Sequence, residues 1–424
     1  MPKVPDGPRG SKLPGPATCW RGRYPPRWGV LAVLYVTAFV DMVGLTMIVP
    51  LLPYYATGFG ATATVVGGLI SAFSVAQLLV APGWGRLSDR FGRRPAILLG
   101  LLITALAYAG FAFAATVTAL FLWRLVQGIG GGTIGVVQAY VADVSPPEGR
   151  TRSLGWLSAV TSLGAVAGPA LGSLLLALGG RRAPGLVSAG LSMLVALFAW
   201  RYLRESRELR HSASFRLPPS TSSREAIVGV LTRWSEPAPR LIWIYTVAIG
   251  AFYGTIQTVP LLLSRRLNVT EHSIGYFVMF LGGMGVIVRT VVLGRVVDRF
   301  GEARLARAGL VLLALGLAAT GLAYGYPMLA LGFVLMPIGT AFIFPCVSGM
   351  LSAVVPGNDR GLFMGVQHTF GGVSRVVFPV AAGFLMDHFG VGVPFWLSGI
   401  LVLATLLLTR TLTGLEVARQ RPAP

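Results

Sequence analysis

Twelve long apolar segments follow one another along this 424-residue chain. An α-helix satisfies its own backbone hydrogen bonds and needs about 20 apolar residues to cross the hydrocarbon core of a bilayer. The sequence therefore predicts an all-α membrane protein with 12 transmembrane helices. The predicted spans lie at 28–53, 63–84, 95–115, 118–142, 153–178, 183–203, 240–263, 273–294, 305–325, 327–350, 361–386 and 392–412.

The charge composition excludes a soluble nucleic-acid-binding protein. Charged residues make up only 12% of the chain, about half of what a soluble protein carries. The formal net charge of +20 would suit a nucleic-acid partner. The basic residues lie mostly in short loops between the apolar segments, however, which is the distribution of a membrane protein.

The basic residues also predict the orientation of the chain in the membrane. The loops after spans 1, 3, 9 and 11 carry none, and the loops after spans 5 and 7 carry four, namely Arg181, Arg182, Arg265 and Arg266. Nearly all others lie in the tails, in the even-numbered loops or at the span ends beside them. The positive-inside rule then places both termini in the cytoplasm. We expect a multi-pass protein of a bacterial-type inner membrane.

One charged segment occurs twice. The sequence GRLSDRFG at 85–92 shares the frame GRxxDRFG with GRVVDRFG at 294–301, which begins 209 residues later (294 − 85). Half the chain is 212 residues (424/2). A repeat of this period predicts a duplication into two pseudo-symmetric six-helix halves, 28–203 and 240–412. Residues 204–239 would form a cytoplasmic linker with an interfacial helix, and 1–27 and 413–424 would be cytoplasmic tails.

Four motifs give the chain a family resemblance over residues 28–412. They are the charged segment at 85–95; Asp41-x-x-Gly44 before Pro50-x-x-Pro53; Arg124-x-x-Gln127-Gly128-x-Gly130; and, in span 5, Gly155, Gly164, Gly168-Pro169 and Gly172. In this order they resemble the 12-helix drug:proton antiporters of the major facilitator superfamily, which include tetracycline efflux proteins. Span 5 departs from the antiporter pattern at Ser173, where many members have glycine.

The resemblance assigns a gate to the repeated segment. It implies that Gly85, Asp89, Arg90, Gly92 and Arg93 form a cytoplasmic latch between the two halves. In the second copy, Asp298 and Arg299 would be the pseudo-symmetric partners. The charges alone allow another interpretation, in which both segments only anchor the topology.

The glycines of span 5 also have a physical interpretation. Gly164, Gly168 and Gly172 recur every four residues, so they present a flat face that lets a neighbouring helix approach closely. Gly155 points to roughly the opposite side. Pro169 removes a backbone hydrogen bond and favours a bend. Ordinary packing of small residues would look the same at any single glycine.

Asp41 is the only one of the 15 acidic residues that lies near the middle of a predicted span. Asp at a helix centre costs about 2.5–3.5 kcal/mol on insertion scales, so it requires a compensating environment or a function. Arg124 in span 4 is the candidate partner. We expect Asp41 to couple transport to protons, with Arg124 tuning its proton affinity. A purely structural Asp–Arg pair is the alternative.

A further set of residues is a candidate for the substrate cavity. It comprises Phe39, Gln127, Gln138, Tyr140, Tyr253, His368 and Arg375. Arg375 lies at the centre of span 11, and Asp41 is the only acid of similar depth. Two buried arginines beside a single acid suit a neutral, zwitterionic or anionic, metal-chelated ligand. His368 fits a proton relay, a substrate contact or a structural role.

These features predict proton-coupled efflux of hydrophobic drugs, tetracycline-like or broader. A symporter that imports a sugar or small metabolite, or a membrane sensor that does not transport, remains possible on the same fold. The chain has no P-loop, no clustered Cys/His metal site and no nucleophile motif, so an enzyme is not expected. The proton gradient would supply the energy without cofactor or metal. We expect a monomer in the lipid bilayer.

Overall fold

The computed structural model describes residues 27–146, 149–203, 205 and 221–409. Apart from Arg27, the predicted tails at 1–27 and 413–424 lie outside the described residues, as does much of the predicted linker. Every element that the structure describes is a helix.

Eight helices precede the linker and the rest follow it. The first group is α1 (Arg27–Ile48), α2 (Leu52–Gly58), α3 (Ala63–Phe91), α4 (Arg93–Ala112), α5 (Val117–Gly131), α6 (Ile134–Val144), α7 (Arg150–Gly179) and α8 (Ala183–Tyr202). The linker contains α9 (Ser223–Thr232). The second group is α10 (Pro237–Leu267), α11 (Ile274–Ile287), a π-helical segment (Val288–Val292), α12 (Leu293–Phe300), α13 (Glu302–Gly321), α14 (Tyr326–Val354), α15 (Arg360–His388), α16 (Val393–Ala404) and a 3₁₀ turn (Thr405–Thr409).

Eleven helical spans in the described residues are long and apolar enough to cross a membrane. The twelfth predicted span, 392–412, corresponds to the shorter apolar helix Val393–Thr409. Residues 410–412 lie outside the described part. The predicted number of apolar helices is therefore matched, with the last one shorter than expected.

Three of the predicted spans are interrupted rather than continuous. Span 1 breaks after Ile48, next to Pro50, and resumes as α2. Span 4 breaks between Gly131 and Ile134, with the Thr133 hydroxyl donating to the Gly130 carbonyl over 3.1 Å. Span 8 passes through the π-helical segment, a form that often marks a functional position.

The predicted loop at 85–95 is wrong in its extent. The helix α3 continues to Phe91, and only Gly92 lies between α3 and α4. The second copy behaves in the same way, since α12 ends at Phe300 and α13 begins at Glu302. Charged side chains do not stop a helix that has left the hydrocarbon core; the turn comes at Gly92, whose φ of 107° and ψ of 160° favour glycine.

The predicted helix in the linker is present as α9. Ser222 and Glu225 form a capping box at its first turn, which accounts for where it begins. Its buried residues, Ala226 and Val230, belong to the same core as α10. The Trp243 indole on α10 donates to the Val230 carbonyl over 2.9 Å.

The two groups of helices meet at the end of the bundle opposite the linker, which we call the far end. Five side chains make hydrogen bonds between the two groups there, those of Tyr54, Thr64, Ser71, Ser173 and Asp387. The Tyr54 hydroxyl donates to the Val269 carbonyl over 2.9 Å, and the Ser71 hydroxyl donates to the Val376 carbonyl over 2.6 Å. The others are the bonds of Asp387 with Ala63 and Thr64, and those of Ser173 with Glu271 and Gly275. We call these contacts the far-end seal.

Glycine makes the seal close. A Cβ at Gly67 would collide with the Pro379 carbonyl, and a Cβ at Gly383 would collide with the Ala63 carbonyl. The helices α3 and α15 therefore touch backbone to backbone at the far end. Small residues permit such an approach between helices in membranes.

Candidate functional site

Asp41 lies in the wall of a cavity of about 540 Å³. The cavity is formed by α1, α4, α6, α7 and the break before α6, all in the first half. Its polar lining, apart from Asp41, consists of hydroxyl and amide groups, on Thr37, Thr133, Gln138, Ser158 and Thr161. Among the residues that the structure describes, Asp41 is the only charged one that lines it. This arrangement can hold water and a proton near one carboxylate.

Arg124 is almost completely buried, with 2% of its surface exposed. Its Nη1 donates to Gln127 Oε1 over 2.6 Å, and its Nε donates to the Leu69 carbonyl over 3.4 Å. The guanidinium also lies 4.9 Å from the centre of the Phe73 ring. Neutral groups therefore satisfy this cation, at least in part.

Asp41 and Arg124 do not form the ion pair that a purely structural interpretation requires, since no described pair joins them within 4.0 Å. Tyr108 on α4 is 1% exposed, and its hydroxyl lies against Gly44, three residues after Asp41 on α1. Arg124 is thus held by Gln127 and by the Leu69 carbonyl and not by Asp41.

The predicted cavity residues of the first half lie in different places in the structure. Gln138 lines the Asp41 cavity. Gln127 is 3% exposed and bonded to Arg124, so it supports the site from behind. The backbone carbonyl of Phe39 faces Gly164. Tyr140 is fully buried in the core of the first half and does not line the Asp41 cavity.

Arg93 is the centre of a charged group at the linker end. Its guanidinium lies 3.1 Å from Asp89 and 3.3 Å from Asp143, and it donates to the Ser88 hydroxyl over 2.5 Å. Ser88 and Asp89 are on α3, Arg93 on α4 and Asp143 on α6. We call these residues, together with Glu205, the linker-end cluster. The contacts of Arg93 with Ser88, Asp89 and Asp143 lie within the first half of the chain, and Glu205 adds contacts from the beginning of the linker.

Glu205 was not predicted from the sequence. Its carboxylate accepts hydrogen bonds from the backbone N–H groups of Arg93 and Arg94, over 2.9 and 3.3 Å. These are free N–H groups at the start of α4, where a negative charge is also stabilised by the helix dipole. The same carboxylate occupies the space that a Cβ on Gly92 would need.

The other predicted gate residues are less engaged. Arg90 lies over the Phe91 ring at 5.3 Å, and Gly85 has nothing near its missing side chain. In the second copy, Arg299 lies over Phe300 at 5.6 Å. Asp298 is exposed and makes no ion pair with any residue that the structure describes. The two copies of the repeat thus share the same backbone turn, whereas ion pairs are described only in the first copy.

Three of the span-5 glycines pack against α1. The Cβ positions of Gly164, Gly168 and Gly172 fall on the backbone of α1 between Phe39 and Met47. Gly155, which points elsewhere, has nothing within 4 Å of its Cβ position. The predicted flat face therefore exists, and it brings α7 against the helix that carries Asp41.

Ser173 and Pro169 connect α7 to the second half. The Ser173 hydroxyl donates to the Glu271 carbonyl over 3.0 Å and accepts from the Gly275 N–H over 2.9 Å. The Pro169 carbonyl lies where a Cβ on Gly275 would be. The departure from the family pattern at position 173 thus supplies a bond that glycine cannot make.

The predicted cavity residues of the second half come together around Tyr245 on α10. The His368 ring lies 6.5 Å from the Tyr245 ring, and the Arg375 guanidinium lies 5.9 Å from the Tyr253 ring. Arg375 also interacts electrostatically with Tyr245 and His368. This second group carries positive charge, whereas the Asp41 cavity carries one negative charge.

Comparison with known proteins agrees with this architecture. The family model described as Major Facilitator Superfamily matches residues 34–295 and 241–424. This chain belongs to the major facilitator superfamily. Among relatives in this superfamily, multidrug resistance protein 2 of Bacillus subtilis is 26% identical over 391 residues, which cover 90% of this chain and 94% of that protein.

Two further members of the superfamily illustrate its range. The class B tetracycline resistance protein of Escherichia coli is 26% identical over 375 residues, covering 86% of this chain and 89% of that protein. The crystal structure of the human organic anion transporter MFSD10 superposes with a TM-score of 0.66 at 24% identity, covering 91% of this chain and all of that chain. This member of the superfamily is accordingly a multi-pass membrane transporter and not an enzyme.

Proposed function

We propose that the protein exports hydrophobic drugs in exchange for protons, with Asp41 as the proton carrier. The relatives named for multidrug and tetracycline resistance support the substrate class. The observation that carries the proposal is the position of Asp41. Among the described acids it is the only one near the middle of a span, and it lines a cavity of about 540 Å³.

The surroundings of Asp41 suit reversible protonation. A carboxylate held in an ion pair with Arg124 would stay deprotonated throughout the transport cycle, and Asp41 forms no such pair with Arg124. Hydroxyl groups in the cavity wall can hold water beside the carboxylate. Isolated acids inside a membrane protein typically mark proton pathways for this reason.

The far-end seal supports alternating access. The positive-inside rule applied to the sequence places the linker in the cytoplasm and the far end outside. In this conformation the halves are bonded at the outer side, so the cycle requires those bonds to break as the halves rock. One proton that enters down a potential of 100 mV supplies about 2.3 kcal/mol toward the cycle.

The proposal is tested by drug-induced proton release from inverted membrane vesicles. An acid-inside gradient is established, and tetracycline and then a panel of lipophilic drugs are added. We expect the gradient to collapse on addition of a drug in the wild type and not in Asp41→Asn. The asparagine keeps the size of the side chain and removes its titratable proton.

Glu236→Gln is the matched control, because Glu236 is an exposed acid at the linker end, paired with Arg233. It should release protons like the wild type. Full proton-driven efflux by Asp41→Asn would refute the role of Asp41. No response of the wild type to any drug would refute drug antiport and direct the next panel to sugars and small organic acids.

A further inference from the structure

Arg375 is a cation that makes no ion pair with any acid that the structure describes. It lies near the middle of α15 (Arg360–His388) and is half-buried. Neither Arg375 nor Arg289 makes an ion pair with any residue that the structure describes. Arginine at the centre of a span costs about 2.5–3.5 kcal/mol on insertion scales, so it is retained for a partner.

The acids of the second half cannot supply that partner. The described ones between 240 and 409 all lie at helix ends or in the connections between helices: Glu271, Asp298, Glu302, Asp359 and Asp387. Asp387 is engaged at the far-end seal. None of the described acids of the second half therefore lies at the depth of Arg375 in the bundle.

Two separate elements bring positive charge close to Tyr245 on α10. Arg375 on α15 and Arg289 in the π-helical segment both lie within electrostatic range of this tyrosine. His368, two turns before Arg375, lies against the same Tyr245 ring. A cationic substrate would be repelled by two arginines here, whereas an anion would be attracted by both.

Aromatic rings accompany these cations. Tyr253 lies under Arg375, and Phe344 contacts Tyr245 edge-on at 5.4 Å. Such rings offer flat apolar area to an aromatic ligand, while the guanidinium can bind a carboxylate through two parallel hydrogen bonds.

We propose that the second half binds the acidic group of an aromatic organic anion, with Arg375 as its direct partner. The inference rests on the proposed function, in that this site is one side of the transport pathway. The inference specifies that the substrate carries a negative charge, on a carboxylate or a sulfonate. The proposed export of hydrophobic drugs leaves that charge open. Arg289 strengthens the attraction from a greater distance.

The test uses two fluorescent probes that differ only in charge, dansylglycine and its neutral amide. Each is titrated against the purified full-length protein in lipid nanodiscs. The wild type is expected to bind the acid roughly tenfold more tightly than the amide, as for a hydrogen-bonded charged pair. Arg375→Gln should remove that difference by weakening the acid alone, and Arg375→Lys should restore part of it.

Arg304→Gln is the matched control, since Arg304 is an exposed arginine on α13 at the linker end. It should keep the full preference for the acid. Equal affinities of the wild type for acid and amide, binding of neither probe, or equal weakening of both by Arg375→Gln would overturn the inference. If Arg375→Gln does not fold, the wild-type comparison and Arg375→Lys decide.

The outcome is independent of proton coupling. A preference for the acid in nanodiscs without drug-induced proton release in vesicles would support the site and refute antiport. Proton release with neutral and cationic drugs, combined with no preference for the acid, would support antiport and refute the site.

Discussion

Gly92 shows how much of the linker-end cluster depends on one residue without a side chain. Its backbone has the φ and ψ that allow α4 to begin immediately after α3 ends. Its missing Cβ leaves room for the Glu205 carboxylate, which caps α4. The ion pairs of Arg93, the next residue, depend on the same turn.

Gly92→Ala is therefore expected to destabilise the protein. A side chain in this backbone region costs about 1–3 kcal/mol, and the displaced carboxylate loses its bonds to the α4 N–H groups. Thermal unfolding in detergent should show a lower Tm. Gly190→Ala on α8, where nothing lies within 4 Å of the Cβ position, should leave Tm unchanged or raise it slightly. Equal shifts of Tm in the two variants would contradict this account.

The sequence predicted the residues whose signal is local and missed those whose partners are distant. Asp41 stands out because a single acid interrupts an apolar segment. Glu205 and Ser173 gave no such signal, since their partners lie 112 and 98 residues away and only the packing brings them together. Tyr140 was assigned to the cavity because an aromatic residue in a span looks the same whichever way it points.

The helices α3 and α15 pack closely against each other across the two halves, and a single carboxylate lies at the far end of this contact. Asp387, near the end of α15, accepts bonds from the N–H groups of Ala63 and Thr64 over 3.0 and 2.8 Å and from the Thr64 hydroxyl over 2.7 Å. These N–H groups open α3, so the carboxylate also interacts with the positive end of the helix dipole. The halves are thus held together by a cap donated from one half to the other.

Asp387→Asn should loosen this link. An amide oxygen accepts one or two of the bonds without the negative charge, so the amides of Ala63 and Thr64 should exchange with deuterium faster, by roughly tenfold if about 1.4 kcal/mol of charge-assisted bonding is lost. Hydrogen–deuterium exchange of the peptide that contains them measures this. His388→Gln, a change at the neighbouring exposed residue, is the control. Unchanged exchange in Asp387→Asn would rule out a role of the charge in the seal.

At the scale of the element, the sequence predicted where apolar helices lie better than where they break. Hydropathy reports burial in the membrane and gives no sign of the break between Gly131 and Ile134 or of the π-helical segment. At the break, the Trp84 ring occupies the space that a Cβ on Gly132 would need, which is a packing contact that hydropathy does not report. The helices α3 and α12 continue through charged residues to Phe91 and Phe300, so the end of an apolar segment does not mark the end of a helix here.

The whole molecule is asymmetric in how its two ends are held. At the far end, the halves bond to each other through backbone contacts at glycine and through a few side chains. At the linker end, the described ion pairs are those of Arg93 with Asp89 and Asp143 in the first half and that of Arg233 with Glu236 beside α9, and none of these pairs joins the two halves. The duplication in the sequence predicted two similar halves, and it did not predict this difference, because Asp298 keeps its place in the repeat but makes no ion pair with a residue that the structure describes.

Gly67→Ala tests whether closure of the far end is needed for transport. The added methyl group would meet the Pro379 carbonyl, so the halves could not come together there while each half still folds. Cells that express this variant should lose drug resistance, although the amount of protein in the membrane stays the same. Gly83→Ala, the same change on the same helix where nothing lies within 4 Å, should retain resistance. Retained resistance in both variants would separate the seal from the transport cycle.

The far-end seal also has a pharmacological consequence. If the far end faces outward, as the positive-inside rule predicts, an inhibitor applied to intact cells meets the backbone contacts between α3 and α15 and between α7 and α11 in this conformation. Such a compound would have to cross the membrane first or capture the protein in its opposite state. Blockers selected on whole cells and blockers selected on inverted vesicles should therefore fall into different chemical classes.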